Sequence, residues 1–481
     1  MQFKNNINRH QFRQIFSKTL YRYIRYFFSH VAQVICCFTV IFYINGCKKF
    51  VDVGSPKTQV ITSTVYTDDA TATSAIRGIY SKMMENNNII NYSFTLYSGL
   101  SADEFANYST FSYQIEFVNN ALTPPNSEIN TLWSSAYQFI YYSNAVIEGL
   151  ANSKGVTTVT KNQLLGEAKF IRALCYFYLV NLWGDVPLIT TSDYRINSVA
   201  SRTPLSQVYQ QIINDLKDAQ SLLPASYPTS GRVRPNKYSV TALLARAYLY
   251  TGDWVNADAQ ASSVINNSVV YILQNNLNSV FLANSREAIW QLIPVIPEFN
   301  TQEGNAFILI NAPINVALSN ELLTSFELGD NRRTNWIHDT VISAQSYSYP
   351  FKYKVKNGST ITENLMILRL AEQYLIRAEA RARQNNIAGS QADINMIRNR
   401  AGLSNTIAND QPSLLLAIDK ERRNEFFTEF GHRWLDLKRT NKANGLLQSI
   451  KGSNWQSTDV LYPIPQSDIN NNPNLTQNNG Y

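Results

Sequence analysis

One stretch decides the fold class, and from Ala242 to Ile265 it reads ALLARAYLYTGDWVNADAQASSVI. Ala247 and Tyr248 precede a central turn, and Ala257, Ala261 and Val264 recur after it at four- and three-residue spacing, which is the pattern of two helices joined by a turn. Gly252 can adopt the left-handed conformation that ends the first helix. Trp254 can fill the angle between the helices, and the small Ala257 and Ala261 allow close packing. The stretch therefore predicts an antiparallel helix pair.

This pair resembles a tetratricopeptide unit. Helical periodicity recurs along the chain, mostly as neighbouring pairs with short connections. The predicted helices lie from about residue 70, capped by Asp68 and Asp69, and at about 130–150, 162–183, 205–223, 236–251, 254–266, 367–385, 390–401 and 413–430. A weaker copy of the unit runs from Ala378 to Gly402 without the aromatic turn residue. We predict a mostly α-helical fold with a tetratricopeptide-like helical-repeat scaffold embedded in a larger architecture.

The segment from about 270 to 362 differs from its surroundings. Prolines and glycines interrupt it, and Glu287–Leu292 has the composition of a β-strand. Insertions between helical repeats often carry the binding surface. We therefore predict a loop-rich, partly β insertion that forms a ligand-recognition region.

The positive charge of the chain is concentrated near its N-terminus. The formal charge is +7, and six basic residues precede residue 47, where no acidic residue occurs: Lys4, Arg9, Arg13, Lys18, Arg22 and Arg25. Removing these six from the 42 basic residues leaves 36 against 35 acidic residues. A nearly neutral body lacks the electrostatic pattern of nucleic-acid binding, so we predict no nucleic-acid partner.

The same N-terminal segment has the order of a lipoprotein leader. Its apolar run, Val31–Ile44, has about 14 residues, fewer than the roughly 20 that span a bilayer. The run ends in Ile-Asn-Gly-Cys, which resembles a lipobox whose thiol accepts diacylglycerol. We predict a signal peptide over 1–46, lipidation at Cys47 that anchors the chain in membrane lipid, and a polar tether over 47–66. The alternative is an ordinary signal peptide that is cut nearby and leaves Cys47 unmodified.

Several blocks in order resemble the SusD/RagB family of outer-membrane nutrient-binding lipoproteins over nearly the whole chain after the leader. They are Cys47–Asp52, Glu167–Gly184, Leu182–Pro187, Ala242–Ile265, Leu368–Ala380, Glu421–Phe426, Gly431–Arg439, Pro463–Pro465 and Gln477–Tyr481. The resemblance implies a SusD-like fold with four tetratricopeptide-like units below a variable lobe. It also implies a surface-exposed location on the outer membrane and a SusC-like TonB-dependent transporter as partner, on which the protein acts as a hinged lid.

The resemblance also divides the chain and indicates its function. We assign 67–269 to an N-terminal helical region, 270–362 to the variable recognition region and 363–481 to the C-terminal SusD/RagB helical region. The implied function is binding of oligosaccharides without catalysis and without a cofactor. A relative that captures peptides instead of sugars remains an alternative within the family.

A glycan site needs exposed aromatic rings for the apolar faces of the sugars, together with polar groups for their hydroxyls. Two stretches meet this need, the loop 101–114 and the insertion. The candidate ligand residues are Asp103, Asn107, Tyr108, Phe111 and Tyr113 from the loop, and Arg332, Trp336, Tyr347 and Tyr349 from the insertion. Polar neighbours lead us to expect exposure of Tyr108, Trp336 and Tyr347. The competing interpretation is that these aromatic side chains pack into the scaffold and do not contact a ligand.

Other charged residues are better explained by a structural role than by ligand binding. Those at 369, 372, 377 and 379 recur at helical spacing, and Glu421–Arg423 can pair with Arg433 and Asp436 between packed helices. We predict structural ion pairs there. Cys175 lies in an apolar run and is expected to be a buried thiol.

Enzymatic alternatives have weaker support. A secreted glycosidase would need two carboxylates about 5 to 10 Å apart, for which Asp103 with Glu104, or Asp330 with Asp339, are the candidates. After the leader only His338 and His432 remain as histidines, without the spacing of a zinc site, and no metal is predicted. A plain tetratricopeptide adaptor is disfavoured by the long insertion.

Overall fold

The computed structural model describes residues 21–27, 65–85 and 87–481. The chain divides into two units, Met1–Ile61 and Thr62–Tyr481. In the first unit, residues 21–27 form an exposed helix. The rest of the expected signal peptide (1–46), Cys47 and most of the tether (47–66) lie outside the described residues. Within the described ranges, no helix is long and apolar enough to cross a bilayer.

Helices make up most of the second unit. Up to residue 265 they are α1 (Asp69–Met83), α2 (Tyr92–Ser101), α3 (Ser112–Asn119), α4 (Ser127–Asn152), α5 (Thr158–Trp183), α6 (Tyr194–Asn197), α7 (Leu205–Leu222), α8 (Lys237–Thr251) and α9 (Trp254–Ile265). They continue as α10 (Gln302–Phe307), α11 (Asn320–Leu323), α12 (Asn331–Asn335), α13 (Leu370–Arg383), α14 (Ile387–Arg400), α15 (Gln411–Phe426), α16 (His432–Arg439), α17 (Ala443–Lys451) and α18 (Gln466–Asn471).

The strands are short and pair in four antiparallel two-stranded sheets. They are β1 (Phe105–Asn107), β2 (Val186–Pro187), β3 (Arg202–Thr203), β4 (Ala288–Leu292), β5 (Val316–Leu318), β6 (Ile337–Ile342), β7 (Gln345–Pro350) and β8 (Leu365–Arg369). The pairs are β1 with β5, β2 with β3, β4 with β8 and β6 with β7. The mostly α fold with a partly β insertion is confirmed, and so is the strand expected at 287–292.

The decisive helix pair is confirmed as α8 and α9. Gly252 has a φ of 75° and ends α8, and the Asp253 carboxylate accepts from the N–H of Asn256 at 3.2 Å and caps α9. Ala257 and Ala261 are fully buried, so the second helix packs closely. The weaker copy is confirmed as α13 and α14.

Two predicted helices are shorter than expected. Residues 367–369 belong to β8, which pairs with β4, and α13 begins only at Leu370. Because β8 is buried, its sequence lacks the alternation of polar and apolar residues that would have predicted a strand. The helix predicted to 430 ends at Phe426. Thr428 and Phe430 beyond it have φ values of 52° and 43°, which a right-handed helix cannot contain.

Helix α5 forms the centre of the core, with Cys175 buried within it, where burial raises the pKa of the thiol. Its last residue, Trp183, packs edge-on against the ring of Trp133, with centroids 5.2 Å apart. The indole N–H of Trp183 donates to the carbonyl of Pro463 at 2.8 Å. Asn478 donates its amide to the carbonyl of Trp183 at 2.9 Å. The C-terminal segment therefore closes the core at the end of α5.

Buried ion pairs join the helices. Arg246 pairs with Glu372 at 2.6 Å, bridging α8 and α13. The remaining pairs include Arg439 with Glu379 at 2.7 Å, Arg422 with Asp436 at 2.7 Å and Arg377 with Asp393 at 2.6 Å. The prediction that these charges belong to the scaffold is confirmed. Breaking such a pair leaves an uncompensated buried charge, which typically costs about 3 to 5 kcal/mol.

Candidate functional site

Tyr108 lies at the end of a two-stranded sheet. In the β1–β5 sheet Asn107 is opposite Val316, and one residue further the N–H of Tyr108 donates to the carbonyl of Asn315 at 2.8 Å. The backbone is thereby fixed, while the side chain of Tyr108 is 43% exposed. Its ring meets that of Tyr347 on β7, with centroids 5.6 Å apart and planes at 73°. We call these two rings the tyrosine pair.

The following loop carries a second aromatic pair. The rings of Phe111 and Tyr113 stack with centroids 5.3 Å apart and planes at 9°, and Phe111 is 61% exposed. The amide of Asn107 braces this loop, because its Nδ2 donates to the carbonyl of Ser109 at 2.8 Å and its Oδ1 accepts from Gln114 at 2.7 Å. Asn107 therefore shapes the loop, and its amide is already hydrogen-bonded.

A cavity of about 530 Å³ lies beside the β1–β5 sheet. Asn315 and Val316 line it and also bond or pair with the backbone of Tyr108 and Asn107, whereas the rings of the tyrosine pair are not among its lining residues. We call it the rim cavity, and its other lining residues are Asn87, Tyr92, Phe299, Gln302, Asn305, Ala306, residues 308–314 and Lys356. The Lys356 ammonium donates to the carbonyl of Ile308 at 2.9 Å and holds the lining segment in place.

Trp336 is fully buried, so the expectation that it is exposed is wrong. Its indole N–H donates to the carbonyl of Leu277 at 3.0 Å, and the Lys352 ammonium lies 5.0 Å from its ring centroid. Tyr349 is also buried, with its ring 5.2 Å from that of His338. Both side chains are packed into the scaffold at the base of the hairpin β6–β7, and neither is accessible to a ligand.

Arg332 is fully buried as well, which corrects its predicted role as a ligand residue. Its guanidinium pairs with Asp330 at 2.8 Å, Glu421 at 2.9 Å and Glu425 at 3.3 Å. Three carboxylates around one guanidinium leave it no donor directed at solvent. Arg332 therefore joins the insertion to α15.

Asp103 belongs to the scaffold too, and the expectation that it meets a ligand is corrected. It is 4% exposed, Arg433 Nε lies 2.8 Å from its Oδ1, and Arg423 pairs with its Oδ2. Burial alone would raise the pKa of Asp103, but the two guanidinium groups hold it below its usual value. The adjacent Glu104 is buried, which raises its pKa to about 7, and it accepts from the N–H of Thr428 at 3.1 Å.

The carboxylates considered for a glycosidase do not line the rim cavity. Asp330 pairs with Arg332, and Asp339 pairs with Arg333 at 2.8 Å. Among the residues the structure describes, no group of three or more His, Cys, Asp or Glu is arranged to hold a metal ion.

Of the nine candidates, four aromatic residues are exposed or partly exposed and remain available to a ligand: Tyr108, Phe111, Tyr113 and Tyr347. Sequence reasoning missed the lining segment 308–316. A signal was present, because Ile310 and Ile314 flank Pro313 in a stretch without helical or strand periodicity, and their side chains are 70% and 88% exposed. Contiguous exposed apolar surface is a feature of ligand-binding grooves, and both isoleucines line the rim cavity.

Comparisons with known proteins agree with this architecture. A family model described as "Starch-binding associating with outer membrane" matches residues 49–249, and a model of the SusD family matches residues 327–481. SusD-like protein P25 of Formosa agariphila is 24% identical over 94% of this chain and 99% of that protein. A SusD superfamily structure from Bacteroides vulgatus has a TM-score of 0.79 at 20% identity, covering 87% of this chain and all of that one. A laminarin-binding SusD-like protein has a TM-score of 0.72 at 24% identity, covering 86% of this chain and all of that one.

Proposed function

Because this chain belongs to the SusD/RagB family, we propose that it is a non-catalytic cell-surface lipoprotein that binds oligosaccharides and delivers them to a SusC-like TonB-dependent outer-membrane transporter. The observation that carries the proposal is the tyrosine pair at the end of the β1–β5 sheet, whose strand β5 contributes Val316 to the rim cavity. In this proposal Cys47 carries the lipid anchor. Residues 67–269 and 363–481 are the two helical regions, and residues 270–362 are the recognition region.

The chemistry of the site suits sugars. A pyranose ring has an apolar C–H face that packs on an aromatic ring and hydroxyls that require polar partners. Tyr108 and Tyr347 supply rings in an edge-to-face arrangement, and Phe111 adds an exposed ring in the next loop. The rim cavity supplies amides from Asn311 and Asn315. Its volume falls within the range of small-molecule sites, about 300 to 1,000 Å³.

The electrostatics favour binding over bond cleavage. A retaining or inverting glycosidase needs one carboxylic acid and one carboxylate on opposite sides of the scissile bond. Asp103, Asp330 and Asp339 are each engaged by arginines, and none of them lines the rim cavity. The laminarin-binding relative supports a glucan as the first ligand to test.

The test compares Tyr108→Ala and Tyr347→Ala with the unmodified mature protein. Loss of one stacked ring should weaken binding about tenfold, corresponding to about 1.4 kcal/mol of lost apolar contact. Binding is measured by calorimetry and by gel retardation in polysaccharides that include laminarin and starch. Leu328→Ala is the matched control, because Leu328 is fully exposed and lies outside the rim cavity.

Three results would contradict the proposal. If polysaccharides retain both tyrosine variants as strongly as the unmodified protein, the tyrosine pair is not the binding site. Release of shortened sugars by the purified protein, lost on carboxylate substitution, would favour a glycosidase. Retention of peptides and of no polysaccharide would replace the sugar by a peptide ligand.

A further inference from the structure

A second cavity, of about 400 Å³, lies on different elements from the rim cavity and shares none of its lining residues. Helix α4, the segment 187–198 and the C-terminal segment 468–475 form its walls. The lining residues are Trp133, Tyr137, Tyr141, Pro187, Ile189, Ser192, Tyr194, Asn197, Ser198, Asp468, Asn471, Asn472 and Leu475. We call it the C-terminal cavity.

One wall is a row of aromatic rings on α4. Trp133, Tyr137 and Tyr141 are four residues apart, which places them on one helix face with a rise of about 6 Å between neighbours. Exposure increases along the row, from the buried Trp133 through the half-buried Tyr137 to Tyr141, which is 48% exposed. Tyr194 on the neighbouring segment adds a ring that is 76% exposed. Such a row does not serve the core alone, since its outer rings are left in solvent.

Hydrogen bonds fix the walls. The indole N–H of Trp133 donates to Asp468 at 3.0 Å and ties α4 to the C-terminal segment. The hydroxyl of Tyr137 donates to the carbonyl of Pro187 at 2.9 Å. Asn472 donates to the carbonyl of Ala200 at 2.8 Å and ties the other two walls together. The cavity is therefore preformed, which lowers the entropic cost of binding.

Several polar groups around the cavity can form further hydrogen bonds. Within the described part of the chain, the hydroxyls of Tyr141 and Tyr194 and the amide of Asn471 make no hydrogen bond to protein. Asn197 uses its Nδ2 on the carbonyl of Thr191 at 2.9 Å, so its Oδ1 is left as an acceptor. Asp468 is the one charged residue among those that line the cavity. A wall without a lysine or arginine does not suit phosphate or another anion.

From this arrangement we propose that the C-terminal cavity is a second carbohydrate-binding site, which takes a short neutral oligosaccharide. The rings of Tyr141 and Tyr194 stack on sugar faces, and Asn197, Asn471 and Asp468 bind hydroxyls. The volume of about 400 Å³ lies within the range of small-molecule sites, about 300 to 1,000 Å³, and suits a short oligosaccharide. The proposal rests on the proposed function only for the class of ligand.

Two sites on one chain have a consequence for polymers. A glucan long enough to span both sites would be retained more strongly than a short oligosaccharide, through effective concentration. The short ligand reports each site separately, and the polymer reports their combination.

The experiment starts from mature protein in which the first site carries Tyr108→Ala and Tyr347→Ala. This protein is applied to an array of neutral oligosaccharides that includes malto- and laminari-oligosaccharides. We expect residual binding to at least one probe, and we expect Tyr194→Ala or Tyr141→Ala to weaken it about tenfold. Tyr194→Phe is the matched control, because it keeps the ring and should change affinity less than about threefold. Thermal unfolding of each variant checks that the fold is intact.

The possible failures are distinct. No residual binding to any probe, or residual binding that Tyr194→Ala and Tyr141→Ala leave unchanged, would overturn the second site. Loss of association with a transporter in those variants, with sugar affinity unchanged, would also overturn it and identify the cavity as a protein contact. If the tyrosine-pair substitutions do not weaken binding in the otherwise unmodified chain, it is the first site that is wrong.

Discussion

Substituting Glu303→Gln should stabilise the protein at alkaline pH. Glu303 lies on α10, beside residues that line the rim cavity, and is 4% exposed. Within the described chain, neither oxygen of its carboxyl group has a hydrogen-bond partner. Burial raises the pKa of Glu303 from 4.5 to about 7. At about 1.4 kcal/mol per pKa unit, this corresponds to about 3 kcal/mol.

The sign follows from proton binding. Between pH 4.5 and about 7 the folded protein holds a proton on Glu303 that the unfolded chain releases, so this contribution to stability falls as the pH rises through that range. At pH 8 the buried side chain is ionised and the full cost applies. Glutamine has the same size and no charge, so Glu303→Gln removes the cost at pH 8 and changes little at pH 4.5.

Urea unfolding at a series of pH values measures the effect. The difference in free energy of unfolding between Glu303→Gln and the unmodified protein should grow by about 3 kcal/mol from pH 4.5 to 8. Glu321→Gln is the control, because Glu321 is exposed, and its difference should stay flat. A Glu303→Gln difference that is equally flat, or that becomes destabilising at pH 8, would refute the reasoning.

Two further substitutions test the corrected residues. Asp103→Asn should lower the free energy of unfolding by about 3 to 5 kcal/mol, because the buried Arg433 would lose its counterion and the partly buried Arg423 would lose its ion pair, and a urea titration would show it. Trp336→Phe should cost about 1 to 3 kcal/mol through the unpaired carbonyl of Leu277 and leave sugar affinity unchanged; a stable variant with weakened binding would contradict this.

The sequence predicted the scaffold well because its signals are local. Gly252 and the small residues around it define a helix pair within one stretch, and the capping residue Asp68 marks the start of α1. The same local reasoning failed where distant chain segments decide the structure. Residues 365–369 form a strand because β4 lies beside them, and nothing in their own spacing separates a buried strand from the start of a helix.

The candidate site was predicted only in part for a related reason. Tyr108 and Trp336 both have polar neighbours in sequence, yet the first is exposed and the second fully buried. The difference arises from Leu277 and Lys352, which lie elsewhere in the chain and meet the indole only after folding. The charge of Arg332 was visible, but the three carboxylates that engage it come from two separate segments.

The contact between Trp183 and the C-terminal segment affects the order of assembly. The partners of Trp183, Pro463 and Asn478, lie 280 and 295 residues further along the chain. The central helix therefore stays without its last partners until nearly the whole polypeptide has been synthesised, and such distant pairing is slow. A secretory chain has to remain unfolded while it is threaded through a translocation channel, so for the exported lipoprotein proposed above delayed closure would prolong the unfolded state that passage requires.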